Sequence, residues 1–191
     1  MRLAYHVMSS PMGLLFLACT ERGLRHLDFM DRKSLKRMIK DRSTRLEDPE
    51  WVPSLIDLQD VVQQMDDYLC GLRKSFDVKL DLIGSEFQLS VWKALLDVPY
   101  GETRTYGGIA KTIGQPRSAR AVGLANNQNS VAIIIPCHRV IGANGKLTGY
   151  GGGIQRKRWL LKHEERFAST EPSERELLAA ADNRVSSRRT R

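Results

Sequence analysis

Cysteine is scarce in this chain, with three residues in 191, at positions 19, 70 and 137. They are far apart, odd in number and free of any C-x-x-C pair, which argues against a disulfide framework or a structural zinc site. A reducing, cytoplasmic setting is the expectation. Long apolar runs are missing as well. No stretch approaches the ~18 apolar residues of a membrane span, and the N-terminus has no apolar core behind a basic start, so neither membrane association nor export is expected. There is no internal repeat. Aromatic residues stop at Phe167; beyond about Ala168 the chain is polar and charged, and 168–191 is expected to be a disordered tail. Ser173 to Glu176 could cap a helix there, marginal in isolation.

What remains is enough for a folded core: 41% of residues are hydrophobic, suiting one domain or two small ones. A net charge of +8 and a pI near 9.6 fit a polyanionic partner, whose phosphates lysine and arginine neutralise. Charge alone fits a solvated basic surface equally well.

The predicted fold class is α+β. Leu3 to Val7, Leu14 to Ala18 and Gly23 to Phe29, separated by turn residues, predict three short strands in an antiparallel meander. Apolar residues from Leu55 to Leu69 recur at three- and four-residue spacing and predict a helix over 54–69. Val78 to Leu82 alternates like another strand. These elements form a small N-terminal domain over 1–84. A mainly helical domain follows over 85–167. Ser85-Glu86-Phe87-Gln88 has capping-box spacing, with helical periodicity after it until Pro99-Tyr100-Gly101. Thr105 to Ile113, a turn at Gly114-Gln115-Pro116, and Arg117 to Asn127 predict a helix-turn-helix with Ala121, Val122 and Ala125 on the buried side. Val131 to Ile135, apolar and largely β-branched, predicts a buried extended segment. A glycine-rich stretch through Gly153 leads to a last helix carrying Trp159, Leu160 and Leu161.

That apolar segment delivers Pro136-Cys137-His138-Arg139-Val140. Pro136 restricts the backbone just before the thiol and supplies no amide donor. A thiol of pKa ~8.5 is only a few per cent ionised at neutral pH, and an adjacent histidine or cation raises the reactive fraction. His138 is in place for that, and Glu164 is the candidate acid to orient it, although spacing alone does not join the two. The rival reading of Cys137 is a buried, inert thiol. For Cys19 and Cys70 that reading prevails, since neither has a histidine beside it.

Ile135-Pro136-Cys137-His138-Arg139-Val140 resembles the active-site signature of the O6-alkylguanine-DNA alkyltransferases, or methylated-DNA–protein-cysteine methyltransferases. The likeness extends through Phe87-Gln88, Val91-Trp92, Val98-Pro99-Tyr100-Gly101, Thr105-Tyr106, Arg120-Ala121-Val122-Gly123, Asn129, Gly149-Tyr150-Gly151-Gly152, and Trp159-Leu160-Leu161 with Glu164. It covers roughly Ser85 to Glu164; further upstream it is loose, carried by Ser10-Pro11-Met12-Gly13. Ser130 departs from the family, which usually has proline after the asparagine.

The resemblance implies single-turnover repair of DNA, in which an alkyl group passes from guanine O6 to Cys137 after the nucleotide flips out of the duplex. Cys137 is then the nucleophile, and His138, through a water and oriented by Glu164, its base. Tyr106 serves as acid toward the guanine ring. Arg120 fills the vacated stack, with Ala121 and Gly123 on the DNA-facing helix. Asn129 braces the active-site segment, while Pro136, Arg139, Val140, Tyr150 and Gly151 shape or support the pocket.

The second helix of the helix-turn-helix is rich in small residues, which favours minor-groove docking over base readout in the major groove. The implied partner is double-stranded DNA containing O6-alkylguanine, met by a monomer with scope for cooperative assembly on DNA. No metal or organic cofactor is called for. Three rivals stand beside this reading: a cysteine peptidase, a DNA-binding regulator with Cys137 as sensor, and a catalytically silent damage-binding protein.

Overall fold

The computed structural model describes residues 1–30, 35–44, 46 and 48–170. Three strands, β1 (Arg2–Ser10), β2 (Gly13–Thr20) and β3 (Gly23–Met30), form the expected antiparallel meander. A fourth strand not foreseen, β4 (Glu50–Pro53), adds in parallel to the outer edge of β1, giving the order β3-β2-β1-β4. The chain reaches that edge by way of α1 (Leu35–Ser43), also not foreseen.

Leu15, Phe16, Leu17 and Ala18 of β2 are all fully buried. Successive strand residues point to opposite faces, so both faces of the sheet are covered. Phe16 and Ala18 pack with Met38 of α1 and with Tyr5 and Trp51. Leu15 and Leu17 enter the main core with Met65 and Tyr68 of α2 (Gln59–Leu69) and with residues of the helical half. The helix predicted over 54–69 begins as a 3-10 turn at Ile56–Leu58 and is α-helical only from Gln59. Val78 to Leu82 is not a strand: its ladder contact is one bridge from Leu80 to Leu24. Asp81 holds this segment by side-chain bonds to Thr20 and to Arg25, which replace a ladder.

α3 (Glu86–Leu96) starts at Ser85 with a complete capping box to Gln88. Thr105 caps α4 (Tyr106–Thr112) by accepting from Gly108 N. Gly114, at φ 72°, makes the turn before α5 (Ala119–Asn127). The buried side of α5 is Val122, Ala125 and Asn126, the i, i+3, i+4 stripe. Ala121 is exposed, contrary to expectation, because it lies one residue round from that stripe, on the outward face with Arg120.

Val131 to Ile135 is buried as expected, but it is not extended. Ile134 N bonds Ala132 O at 2.9 Å, and Ile133 has φ 71°, a tight three-residue turn in a region that β-branched residues avoid. Cys137 N bonds Ile135 O at 2.8 Å around Pro136, at φ −81° and ψ 60°, an inverse γ-turn for which proline's fixed φ is suited. Two tight turns thus replace the strand and lead into a single 3-10 turn, Cys137–Arg139. Beyond it, β6 (Val140–Ile141) pairs in parallel with β5 (Arg104–Thr105). The last helix, α6 (Ile154–Ala168), closes the described chain. The tail was expected from Ala168 onward; Ala168 is instead the last residue of α6, and 171–191 lie outside the described residues.

Candidate active site

Cys137 is 4% exposed at the start of the 3-10 turn, and two asparagines hold it. Asn129 Nδ2 donates to the sulfur at 3.1 Å and to Ile135 O at 2.9 Å, while its Oδ1 accepts from Val131 N. Asn126 Nδ2 donates to Cys137 O at 3.2 Å. Asn129 therefore ties the end of α5 to both ends of the turn segment. Asn126 was not singled out from sequence; its place on the buried stripe of α5 was the available signal.

His138 and Glu164 do meet. Nε2 of His138 lies 2.7 Å from Oε1 of Glu164, and neither side chain is exposed. Glu164 also accepts from Tyr68 Oη at 2.7 Å, from Gly101 N at 3.1 Å, and from Arg139 Nε and Nη2 at 2.9 and 3.0 Å. Burial alone would raise the pKa of this carboxyl. The hydrogen bond from His138 and the hydrogen bonds and charge of Arg139 outweigh that and hold it well below the usual range. Burial lowers the pKa of His138 against the pull of Glu164. A neutral imidazole facing an ionised carboxylate must donate through Nε2, which leaves Nδ1 as the acceptor. Nδ1 is buried and has no hydrogen-bond partner among the described residues.

Arg139 does more than line the site. Its Nη1 donates to Val98 O at 2.6 Å, so the turn after α3 is fastened to Glu164 through one guanidinium. Lys157, which was not singled out from sequence, is fully buried, and its Nζ donates to Val140 O and to Thr148 O. Burial brings its pKa down to about 8, with Cys137 opposing the shift. Lys157, Leu160 and Glu164 share a stripe of α6 at i, i+3 and i+7, which was the signal for it.

Burial pushes the Cys137 thiol up, against the stabilising effects of Asn129 and Lys157. The thiol therefore rests protonated, and a base must act before it attacks. Tyr150 is buried beside it, without a fully formed hydrogen bond at its hydroxyl, and burial together with Cys137 raises its pKa strongly. Cys137, Tyr150, Gly151 and Asn129 open on a cavity of about 370 Å³, whose far wall includes Phe29, Met38 and Arg42 of the first half. Pro136 and Val140 are buried and do not line it.

Tyr106, Arg120 and Gly123 lie in a neighbouring groove with Thr148 and Gly149. Tyr106 Oη donates to Thr148 O at 3.3 Å, and its pKa is raised, chiefly by burial, with Cys137 acting in the same direction. Gly123 faces the Tyr106 ring. Arg120 and Ala121 are exposed on the outer face of α5; Arg120 has no hydrogen bond or ion pair among the described residues.

The chain matches two halves of one family pattern: the ribonuclease-like domain of 6-O-methylguanine DNA methyltransferase over residues 3–82 and its DNA binding domain over 86–166. It is 51% identical over 162 residues to a methylated-DNA–protein-cysteine methyltransferase of Methanosarcina barkeri, spanning 84% of this chain and 96% of that one. Identity to the Mycobacterium tuberculosis protein of that name is 50% over 161 residues, 84% and 92% of the two chains. The crystal structure of M. tuberculosis O6-methylguanine methyltransferase superposes with a TM-score of 0.74 at 45% identity, covering 92% of this chain and 99% of that one. The archaeal enzyme of Pyrococcus kodakaraensis gives 0.60 at 27% identity over 85% and 98%. On these grounds the chain belongs to the O6-methylguanine DNA methyltransferases, the methylated-DNA–protein-cysteine methyltransferases.

Proposed function

We propose that Cys137 is the residue that accepts the alkyl group from O6 of guanine in double-stranded DNA, and that each molecule does so once. The observation that carries this reading is the buried Cys137 thiol followed by a neutral His138 whose Nε2 is held by Glu164 and whose Nδ1 has no partner among the described residues. A water between Nδ1 and the sulfur passes the thiol proton to His138, and Glu164 stabilises the imidazolium. The thiolate then attacks the alkyl carbon in line. A carbon–sulfur bond forms as the carbon–O6 bond breaks, and the electron pair goes to the guanine. Tyr106 donates a proton toward the ring as that charge develops, and the proton taken by His138 restores the tyrosine hydroxyl. The thioether on Cys137 is not a group that water displaces, so the protein is consumed.

The alkyl group is out of reach inside a stacked duplex, and flipping costs a few kcal/mol. Arg120, exposed and without a hydrogen bond or ion pair among the described residues, enters the space the nucleotide leaves. Ala121 and Gly123 let α5 approach the minor groove closely. Asn129 holds the sulfur, Tyr150 and Gly151 frame the pocket, and Arg139 fixes Glu164. In this reading 1–84 and 85–167 act as two domains, the second carrying the chemistry. The protein works as a cytoplasmic monomer on DNA, with scope for cooperative assembly there. Bound DNA is supported by a relative, since M. tuberculosis OGT has been crystallised in complex with DNA.

Intact mass spectrometry after incubation with a duplex containing O6-methylguanine tests the assignment. The expected result is a gain of one methyl group per protein, mapped to Cys137 and absent in Cys137→Ser. A methyl group on Cys19 or Cys70, or repeated turnover without mass gain, would overturn it.

A further inference from the structure

Leu124 is 68% exposed on α5. Arg120, Leu124 and Asn127 follow the i, i+4, i+7 spacing of one helical face, and with Tyr106, Gly123 and Gly149 they border a groove of 540 Å³. A single exposed leucine is ordinary on a protein surface; the surroundings of this one are not. From Thr103 to His163 the chain has no Asp or Glu and ten Lys or Arg. Of these, Lys111, Arg117, Arg120 and Lys146 are exposed, as is Arg104, which is ion-paired with Glu102. A leucine in a groove whose one charged lining residue is the exposed Arg120, and which no acidic residue lines, suits a ligand with anionic strands at its rim and apolar sugar and base surface between them, which is the make-up of a DNA groove.

We propose that Leu124 is a second wedge for nucleotide flipping, an apolar contact that packs into the minor groove one helical turn beyond Arg120. Four residues of α-helix advance about 6 Å, close to two base steps of ~3.4 Å each. While Arg120 occupies the vacated stack, Leu124 reaches the second step along and holds the groove open there. Apolar burial of Leu124 then offsets part of the unstacking cost that Arg120 alone would otherwise meet. The proposal rests on the reading of Arg120 and of flipping given above.

The test compares Leu124→Ala and Leu124→Met with the natural chain in single-turnover methyl transfer from an O6-methylguanine duplex and in reaction with the free base O6-benzylguanine. The alanine variant is expected to slow the duplex reaction about fivefold to tenfold, the loss of one leucine contact. It should leave the free-base reaction within about twofold, and methionine should restore most of the duplex rate. The fluorescence of a 2-aminopurine placed beside the lesion, which rises on unstacking, should rise less with the alanine variant. An unchanged duplex rate would overturn the wedge, as would an equal fall on both substrates, which would point to packing. If the natural chain transferred no alkyl group to Cys137 from either substrate, the reading of the site itself would fall. A failure of the wedge alone leaves that transfer intact.

Discussion

Replacing Glu164 by glutamine should separate the two roles of this carboxylate, in folding and in transfer. Its oxygens accept from Tyr68, Gly101, His138 and Arg139 in a site with no solvent exposure. Every neighbour is a donor, so the NH₂ of glutamine faces at least one of them, and the buried Arg139 guanidinium loses its counter-charge. Removing one partner of a buried pair costs about 3–5 kcal/mol, a large part of the roughly 5–15 kcal/mol that holds a protein folded. Urea denaturation at neutral pH should show a loss of that size.

The pH dependence gives an independent check. The folded pKa of Glu164 lies well below the ordinary 4.5, so between the two values the unfolded chain binds one proton more than the folded one. Its contribution is complete above about pH 4.5 and declines below it by about 1.4 kcal/mol per pH unit. Glutamine has no such proton. The stability gap between the natural chain and the variant should therefore narrow at that rate as pH falls from 4.5. Methyl transfer at neutral pH should drop about a hundredfold or more, because His138 loses the partner that fixes its tautomer. A gap under about 1 kcal/mol at neutral pH, or one that stays constant under acid, would refute the reasoning. If the glutamine variant does not fold, Tyr68→Phe removes one donor and leaves the charges paired; its expected cost is about 1 kcal/mol.

Two further substitutions probe the surroundings. Lys157→Met removes a positive charge that favours the Cys137 thiolate; transfer at neutral pH should fall about tenfold, for a shift of about one pKa unit, and recover as pH rises. Lys157 itself has a folded pKa of about 8 against an ordinary 10.5. The unfolded chain holds the extra proton between those values, so the stability of the natural chain should climb with pH across that range while that of the variant does not, as read by thermal melting in matched buffers. Ser130→Pro should raise stability by about 0.4–1 kcal/mol through a stiffer unfolded chain. Ser130 O accepts from Leu27 N, a bond that proline keeps, and the Ser130 N–H has no partner among the described residues. A fall in melting temperature would contradict this.

The parts of the fold that could be read from sequence are those whose causes are local. The capping box at Ser85 and the cap at Thr105 are formed by neighbours three residues apart, so their spacing carries the whole interaction. β4 and α1 were illegible for the opposite reason. Four residues of β4 owe their conformation to pairing with β1 some fifty positions earlier, and α1 buries only Met38 among its nine residues, too little to leave an apolar stripe. Val131 to Ile135 has the composition of a strand, yet packing in the core and bonds from Asn129 bend it into successive tight turns. Tertiary contacts overrode propensity there.

The site divides along the same line. Cys137 and His138 are adjacent in sequence, whereas their meeting with Glu164, with Arg139 between α3 and α6, and with Lys157 is a property of the closed fold. Those long-range contacts make the chemistry asymmetric. A buried, protonated thiol is inert until a proton is withdrawn, and the buried imidazole beside it has one nitrogen locked by a carboxylate that resists protonation. The protein can thus store a strong nucleophile in an unreactive form, with Arg139 and Tyr68 keeping Glu164 ionised. Such an arrangement suits a group that can be used only once, because an exposed thiolate would be lost to oxidants before it met its substrate.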